Sequence, residues 1–97
     1  MLCCSLQLYG GSFNLIRNGL PPIGIDVTMV DMFDMNQIQE ALKPNTKLVW
    51  FEVCTNPHCM VADVAQIVKL IKGYNSNIIV GTDNTFLSPW TFVRIFY

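Results

Sequence analysis

The segment IIVGTDNTFLSPW, residues 78–90, runs from an apolar stretch into a polar turn. Asp83 stands where the apolar run stops, followed at once by Asn84 and Thr85. A second apolar run, KLVWFEV at 47–53, ends the same way, in CTNP with Thr55 and Asn56. If the two runs are neighbouring strands of an open parallel sheet, Asn56 and Asp83 project from one rim, beyond the carboxyl ends where such sheets bind ligands. A carboxamide and a carboxylate side by side could grip a flat polar ligand. The competing explanation is local: Asp and Asn bond their own backbone in turns. The pattern alone leaves both readings open.

Other reactive side chains carry less. CTNPHC places His58 beside Cys59 and near Cys54, but no second ligand pair completes a zinc site. The four cysteines, Cys3, Cys4, Cys54 and Cys59, show no CxxC pair and no disulfide framework. Their spacing fits reduced thiols in the cytoplasm. Glu52, inside an apolar run, reads as a buried carboxylate with a structural role. Trp50 and Met60 read as core residues, and Ser88–Pro89 as a loop-shaping pair.

The elements that must position these groups follow from periodicity. IDVTMVD (25–31) is a short strand rich in β-branched residues. DMNQIQEALK (34–43) is a helix with Met35, Ile38 and Leu42 on one face; Asp34 is its N-cap and Gln37 completes a capping box. Pro44 ends it. KLVWFEV is apolar enough to be buried on both faces, as in a sheet covered by helices. DVAQIVKLIKGY (63–74) repeats the helix, capped by Asp63 with Gln66 closing the box, and Gly73 can end it. NIIVGT (77–82) is the third strand. The order β-α-β-α-β predicts an α/β fold with parallel strands, a partial three-layer unit. A short helix over 12–18 is ended by Gly19 and Pro21–Pro22, and the apolar tail TFVRIFY could be a strand.

Composition narrows the function classes. The chain has 97 residues, enough for one small domain, with 52% hydrophobic and only 13% charged residues. So small a unit normally carries more charge, so part of its surface is expected to be covered by other subunits or by the rest of a larger domain. The net charge of −1 and the absence of a basic stripe argue against nucleic acid as a partner. No stretch approaches the ~20 apolar residues that span a bilayer, and the opening MLCCSLQLYGG is a poor signal peptide.

The words LQLYGGS, LKPNTKLVWFEVCTNPHCMVADV and VGTDNTFLSPW together resemble the Cys/Met-metabolism family of pyridoxal-phosphate enzymes, and within it the cystathionine γ-lyases. The resemblance covers about residues 7–90, leaving 91–97 as a divergent tail. It implies that residues 1–97 are a central fragment of the large cofactor domain of a fold-type I enzyme. It further implies pyridoxal 5'-phosphate as cofactor, a sulfur amino acid as substrate, carbon–sulfur lysis or γ-replacement as reaction, a homo-oligomeric parent and a cytoplasmic setting. Carried over by position, Tyr9 in YGG stacks on the cofactor's ring. Asn56 in TNP bonds its phenolic oxygen, Asp83 in DNT faces its pyridine nitrogen, and Thr85 packs on the other ring face. A carboxylate there favours the protonated ring that makes the cofactor an electron sink.

The departures are as specific. The Schiff-base lysine of the family lies well after DNT, whereas the lysines here are Lys43, Lys47, Lys69 and Lys72. No catalytic residue is therefore assigned, and the chain alone is expected to be inactive. The family arginine after YGG is Asn14, and Cys54 replaces the proline before TNP. Two other readings stand beside this one: a non-catalytic product that pairs with full-length family members, and a small nucleotide-binding α/β module. The second lacks any G-x-G-x-x-G.

Overall fold

A computed structural model describes residues 1–56 and 58–87 of the chain. Four strands, β1 (Leu2–Ser5), β2 (Val27–Val30), β3 (Leu48–Glu52) and β4 (Ile79–Asp83), form one parallel sheet in the order β2-β1-β3-β4. The helices are α1 (Gly10–Asn14), α2 (Met35–Ala41) and α3 (Val64–Tyr74). A π-helical turn over Leu15–Gly19 and a 3-10 turn over Pro21–Ile23 follow α1. Among the described residues no helix is long and apolar enough to cross a membrane.

The sequence reading gave three strands, and the structure adds β1. Its four residues, LCCS, are buried throughout and lie between β2 and β3. A run this short, half of it cysteine, has too few positions to show a strand period. The strands read at 25–31 and 47–53 are thus separated by β1. The 47–53 and 77–82 strands are neighbours, the condition on which the rim reading depended, with Glu52 opposite Asp83.

Alternation along the strands divides the molecule into three layers. Cys3, Val49 and Phe51 point into a core built with Ile38, Ala41, Ile67, Val68 and Ile71 of α2 and α3. Leu2, Cys4, Leu48 and Trp50 point the other way, against Leu8, Phe13 and Ile16 of the α1 side. On this second face β3 and β4 present paired rungs: Leu48 with Ile79, Trp50 with Gly81, then Glu52 with Asp83. The polar pair therefore crowns an apolar column at the carboxyl rim.

The helix starts follow the sequence in their N-caps, but neither Gln37 nor Gln66 closes a capping box with its side chain. Asp34 accepts from the N–H groups of Asn36 (2.9 Å) and Gln37 (3.3 Å), and Asp63 accepts from the Gln66 N–H (3.0 Å). The Gln37 side chain does not return to the cap N–H. It donates to Asp34 Oδ2 at 3.1 Å and accepts from Asp31 N–H at 3.4 Å. Those backbone donors hold the Asp34 carboxyl below its usual range, the Gln37 N–H first. The helix read over 12–18 instead begins at Gly10 and widens into the π-helical turn at Leu15.

Candidate cofactor site

Tyr9, Asp83 and Thr85, three of the four residues singled out from sequence, line one cavity of about 180 Å³. Glu52, Cys54, Asn84, Phe86 and Leu87 complete its wall. The cavity lies where β3 and β4 end, on the α1 face. Asn56 is exposed in the turn after β3 and is not among the residues lining this cavity.

Asp83 is the last residue of β4 and half-buried. Its Oδ1 accepts from the Thr85 N–H at 2.8 Å and from the Thr85 hydroxyl. The local Asx turn anticipated as an alternative to ligand binding is therefore present. It occupies only one carboxylate oxygen. Oδ2 receives no donor among the described residues, so turn and ligand roles are compatible. Thr85 acts on the carboxylate directly, fixing its rotation.

Tyr9 precedes α1 and is 64% exposed. Its backbone N–H donates to Glu52 Oε1 across the gap from β3. Glu52 is 5% exposed, which bears out its reading as a buried, satisfied carboxylate. The Tyr9 ring folds back over Gly11, where an added Cβ would stand 2.9 Å from Tyr9 Cε1. Sequence reasoning did not place Glu52 at the site. The signal was its parity with Leu48 and Trp50 on β3.

The turn between β3 and α3 is built by Thr55 rather than offered to a ligand. Thr55 is buried, and its hydroxyl accepts from Met60 N–H at 3.1 Å. Its backbone N–H donates to Met60 O at 2.9 Å, and its carbonyl accepts from Cys59 N–H at 2.8 Å. Met60 itself is 41% exposed rather than core, because this turn stands off the sheet. Trp50 is half-buried and packs in the α1-side cluster, as expected. Among the described residues no group of three His, Cys, Asp or Glu side chains could hold a metal.

The lysines lie elsewhere. Lys47 precedes β3, and Lys69 is exposed on α3, across the sheet from the cavity. The Lys72 ammonium donates to the carbonyls of Ser76 (3.0 Å) and Ile78 (2.8 Å), at the amino end of β4.

Three features bear on whether a pyridine-type cofactor fits here. An aromatic ring and a carboxylate line the same cavity. The side-chain oxygen of Asn84, also in the wall, is buried and has no hydrogen-bond partner among the described residues. Gly11 leaves the space that the Tyr9 ring occupies. Two acceptors and a stacking surface suit a flat, protonated heterocycle. The volume is below the ~300–1,000 Å³ of ordinary ligand pockets.

Comparison with known proteins agrees with that chemistry. The family model for Cys/Met metabolism PLP-dependent enzymes matches residues 1–96. L-methionine gamma-lyase of Treponema denticola is 40% identical over 83 residues, 86% of this chain and 21% of that protein. Cystathionine beta-lyase of Bacillus subtilis is 37% identical over 83 residues, again 86% of this chain and 21% of the relative. The solved structure of cystathionine gamma-lyase from Lactobacillus plantarum, complexed with L-serine, superposes with a TM-score of 0.81. It has 34% sequence identity, and the match covers 92% of this chain and 23% of that one. The chain thus spans about a fifth to a quarter of the proteins it matches. On the family model and these relatives, the chain belongs to the Cys/Met metabolism family of PLP-dependent enzymes.

Proposed function

We propose that these residues are the cofactor-ring wall of a pyridoxal-phosphate-dependent carbon–sulfur lyase that acts on cystathionine or a related sulfur amino acid. The observation that carries this is the Asp83 carboxylate. It is pinned through Oδ1 by Thr85, is open at Oδ2, and shares its cavity with Tyr9. When bound, pyridoxal phosphate supplies an electron sink for a carbanion at the substrate's Cα. Asp83 holds a proton on the ring nitrogen by keeping a negative charge beside it. Each pK unit of that preference corresponds to about 1.4 kcal/mol. Tyr9 gives one face of the ring a stacking surface worth about 0.5–1.5 kcal/mol beyond area burial. Asn56, exposed in the turn after β3 and outside this cavity's lining, would donate to the phenolic oxygen without adding charge once the wall is completed. Thr85 covers the other face and holds Asp83 in register.

The 97 residues alone do not catalyse the reaction, because none of their lysines stands at this rim. Carbon–sulfur lysis belongs to the protein in which the wall is completed. That protein is placed in the cytoplasm, in keeping with four free cysteines, and is homo-oligomeric like the family the sequence resembles.

The test grafts residues 7–90 into a full-length relative and changes Asp83→Asn. An amide cannot balance a protonated ring nitrogen, so turnover of a sulfur amino acid is expected to drop by at least about a hundredfold, some 2.7 kcal/mol of barrier. Activity within a few-fold of the unmutated graft would reduce Asp83 to a turn residue.

A further inference from the structure

We infer that Glu52 is a positioning residue for Tyr9, acting on the site through the backbone of the aromatic residue rather than on the cofactor. The inference rests on the cofactor site proposed above and goes beyond the roles assigned there.

A strand-end glutamate at 5% exposure needs a partner, since burying a charge without one is costly. The partner found is the N–H of Tyr9, 43 residues away in sequence. A charged acceptor makes this one of the stronger classes of hydrogen bond. Glu52 also sits opposite Asp83 in register, on the same face of the sheet. One rung of the sheet therefore governs two functions: Asp83 offers a carboxylate to the cavity, and its neighbour anchors the residue that supplies the stacking face.

Tyr9 needs such an anchor. It is 64% exposed, it precedes a helix of only five residues, and no side-chain cap bond holds that helix start. Among the described residues, three constraints locate it. Its carbonyl accepts from the Phe13 N–H at 2.9 Å, Glu52 holds its own N–H, and the absent Cβ of Gly11 leaves the ring its place, 2.9 Å from where that atom would be. The residue is held at both ends while its outer surface stays open. Fixing an aromatic wall before the ligand arrives removes an ordering cost from binding.

The arrangement separates two effects of mutation. Glu52→Ala frees the N–H of Tyr9, whereas Gly11→Ala displaces the ring and leaves the tether intact. Glu52→Gln keeps an acceptor oxygen at the same reach. A residue that merely stabilised the fold would weaken cofactor binding whether or not Tyr9 were present. A residue acting through Tyr9 loses its effect once the ring is gone.

The experiment has two arms, the first on the 97-residue chain and the second on the graft of residues 7–90 into a full-length relative. In the first, without cofactor, hydrogen exchange of the Tyr9 amide is measured. Protection is expected in the unaltered chain, in Glu52→Gln and in Gly11→Ala, and its loss by about tenfold in Glu52→Ala. An unprotected Tyr9 amide in the unaltered chain overturns the proposal. So does protection that survives Glu52→Ala. In the second arm, pyridoxal phosphate affinity is titrated in a double-mutant cycle. Glu52→Ala is expected to weaken it about five- to tenfold in the parent and less than twofold beside Tyr9→Ala. Equal weakening in both backgrounds overturns the proposal. Should Glu52→Ala not fold, Gly11→Ala decides: weaker affinity with a protected amide supports the two-ended anchor, and unchanged affinity overturns it. If the graft binds no pyridoxal phosphate, the proposed cofactor site fails, and the exchange arm alone decides the tether.

Discussion

Trp50 and Gly81 face each other on adjacent parallel strands, and the indole lies in the space a side chain at 81 would fill. A Cβ on Gly81 would come within 2.6 Å of Trp50 Cε3 and 2.8 Å of Cζ3. The ring belongs to a packed cluster with Leu2, Cys4, Leu8 and Ile16, so it has little room to retreat. Gly81→Ala is expected to destabilise the fold by about 1–3 kcal/mol, the usual range for overpacking. Urea unfolding measures it. Trp50→Leu beside it should recover part of the loss; no recovery would mean that backbone, not the indole, is the obstacle.

Thr85 holds Asp83 Oδ1 with both its N–H and its hydroxyl. Thr85→Val removes only the hydroxyl bond. Cofactor affinity is expected to fall several-fold, in line with about 1 kcal/mol for one hydrogen bond at a partly exposed site. Thr85→Ser should restore it. Equal affinities for all three in a pyridoxal phosphate titration would show that the N–H bond alone sets the carboxylate.

Burial pushes the Cys4 thiol up to about 11, and burial together with the neighbouring Cys4 pushes Cys3 up to about 12. In the unfolded chain both ionise near 9.0. The folded state thus holds these protons more tightly. Its advantage is complete below pH 9 and is lost as pH rises toward the folded values. Stability should decline between pH 9 and 11 by on the order of 1 kcal/mol per pH unit per thiol. The double variant Cys3→Ala, Cys4→Ala should flatten that decline in denaturant titrations at several pH values. An unchanged slope would assign it to other groups.

No lysine amine stands at the carboxyl rim. Lys72 is held at the amino end of β4 by the Ser76 and Ile78 carbonyls. From Ile79 to Asp83 the strand rises about 13 Å at ~3.3 Å per residue. Borohydride reduction of the chain with pyridoxal phosphate should label lysines diffusely, with no single position approaching one equivalent in peptide mass maps. Stoichiometric labelling of one lysine, competed by a sulfur amino acid, would refute the placement.

Most of this architecture was legible because its elements are strongly patterned. The caps at Asp34 and Asp63 and the inner faces of α2 and α3 follow from local chemistry. The β1 strand was not legible, because four residues buried on both faces carry no alternation. At the site, Asp83 and Thr85 announced themselves as polar groups ending an apolar run. Glu52 did not, since its partner, the Tyr9 N–H, is a backbone group that no side-chain pattern encodes. Gly81 was unremarkable until the position of the Trp50 ring gave it a reason.

The central place of β1 has a consequence for how the chain is made. On one side its Cys4 pairs with Met29, and on the other with Trp50. During synthesis at about 5–20 residues per second, this stretch leaves the ribosome seconds before either neighbour exists. Two thiols and both strand edges stay open to water, oxidants and other nascent chains throughout that interval. The last partner to arrive, β3, is also the one that brings Glu52. The arrival of β3 therefore closes both edges of β1, while the cofactor wall waits for β4, which brings Asp83.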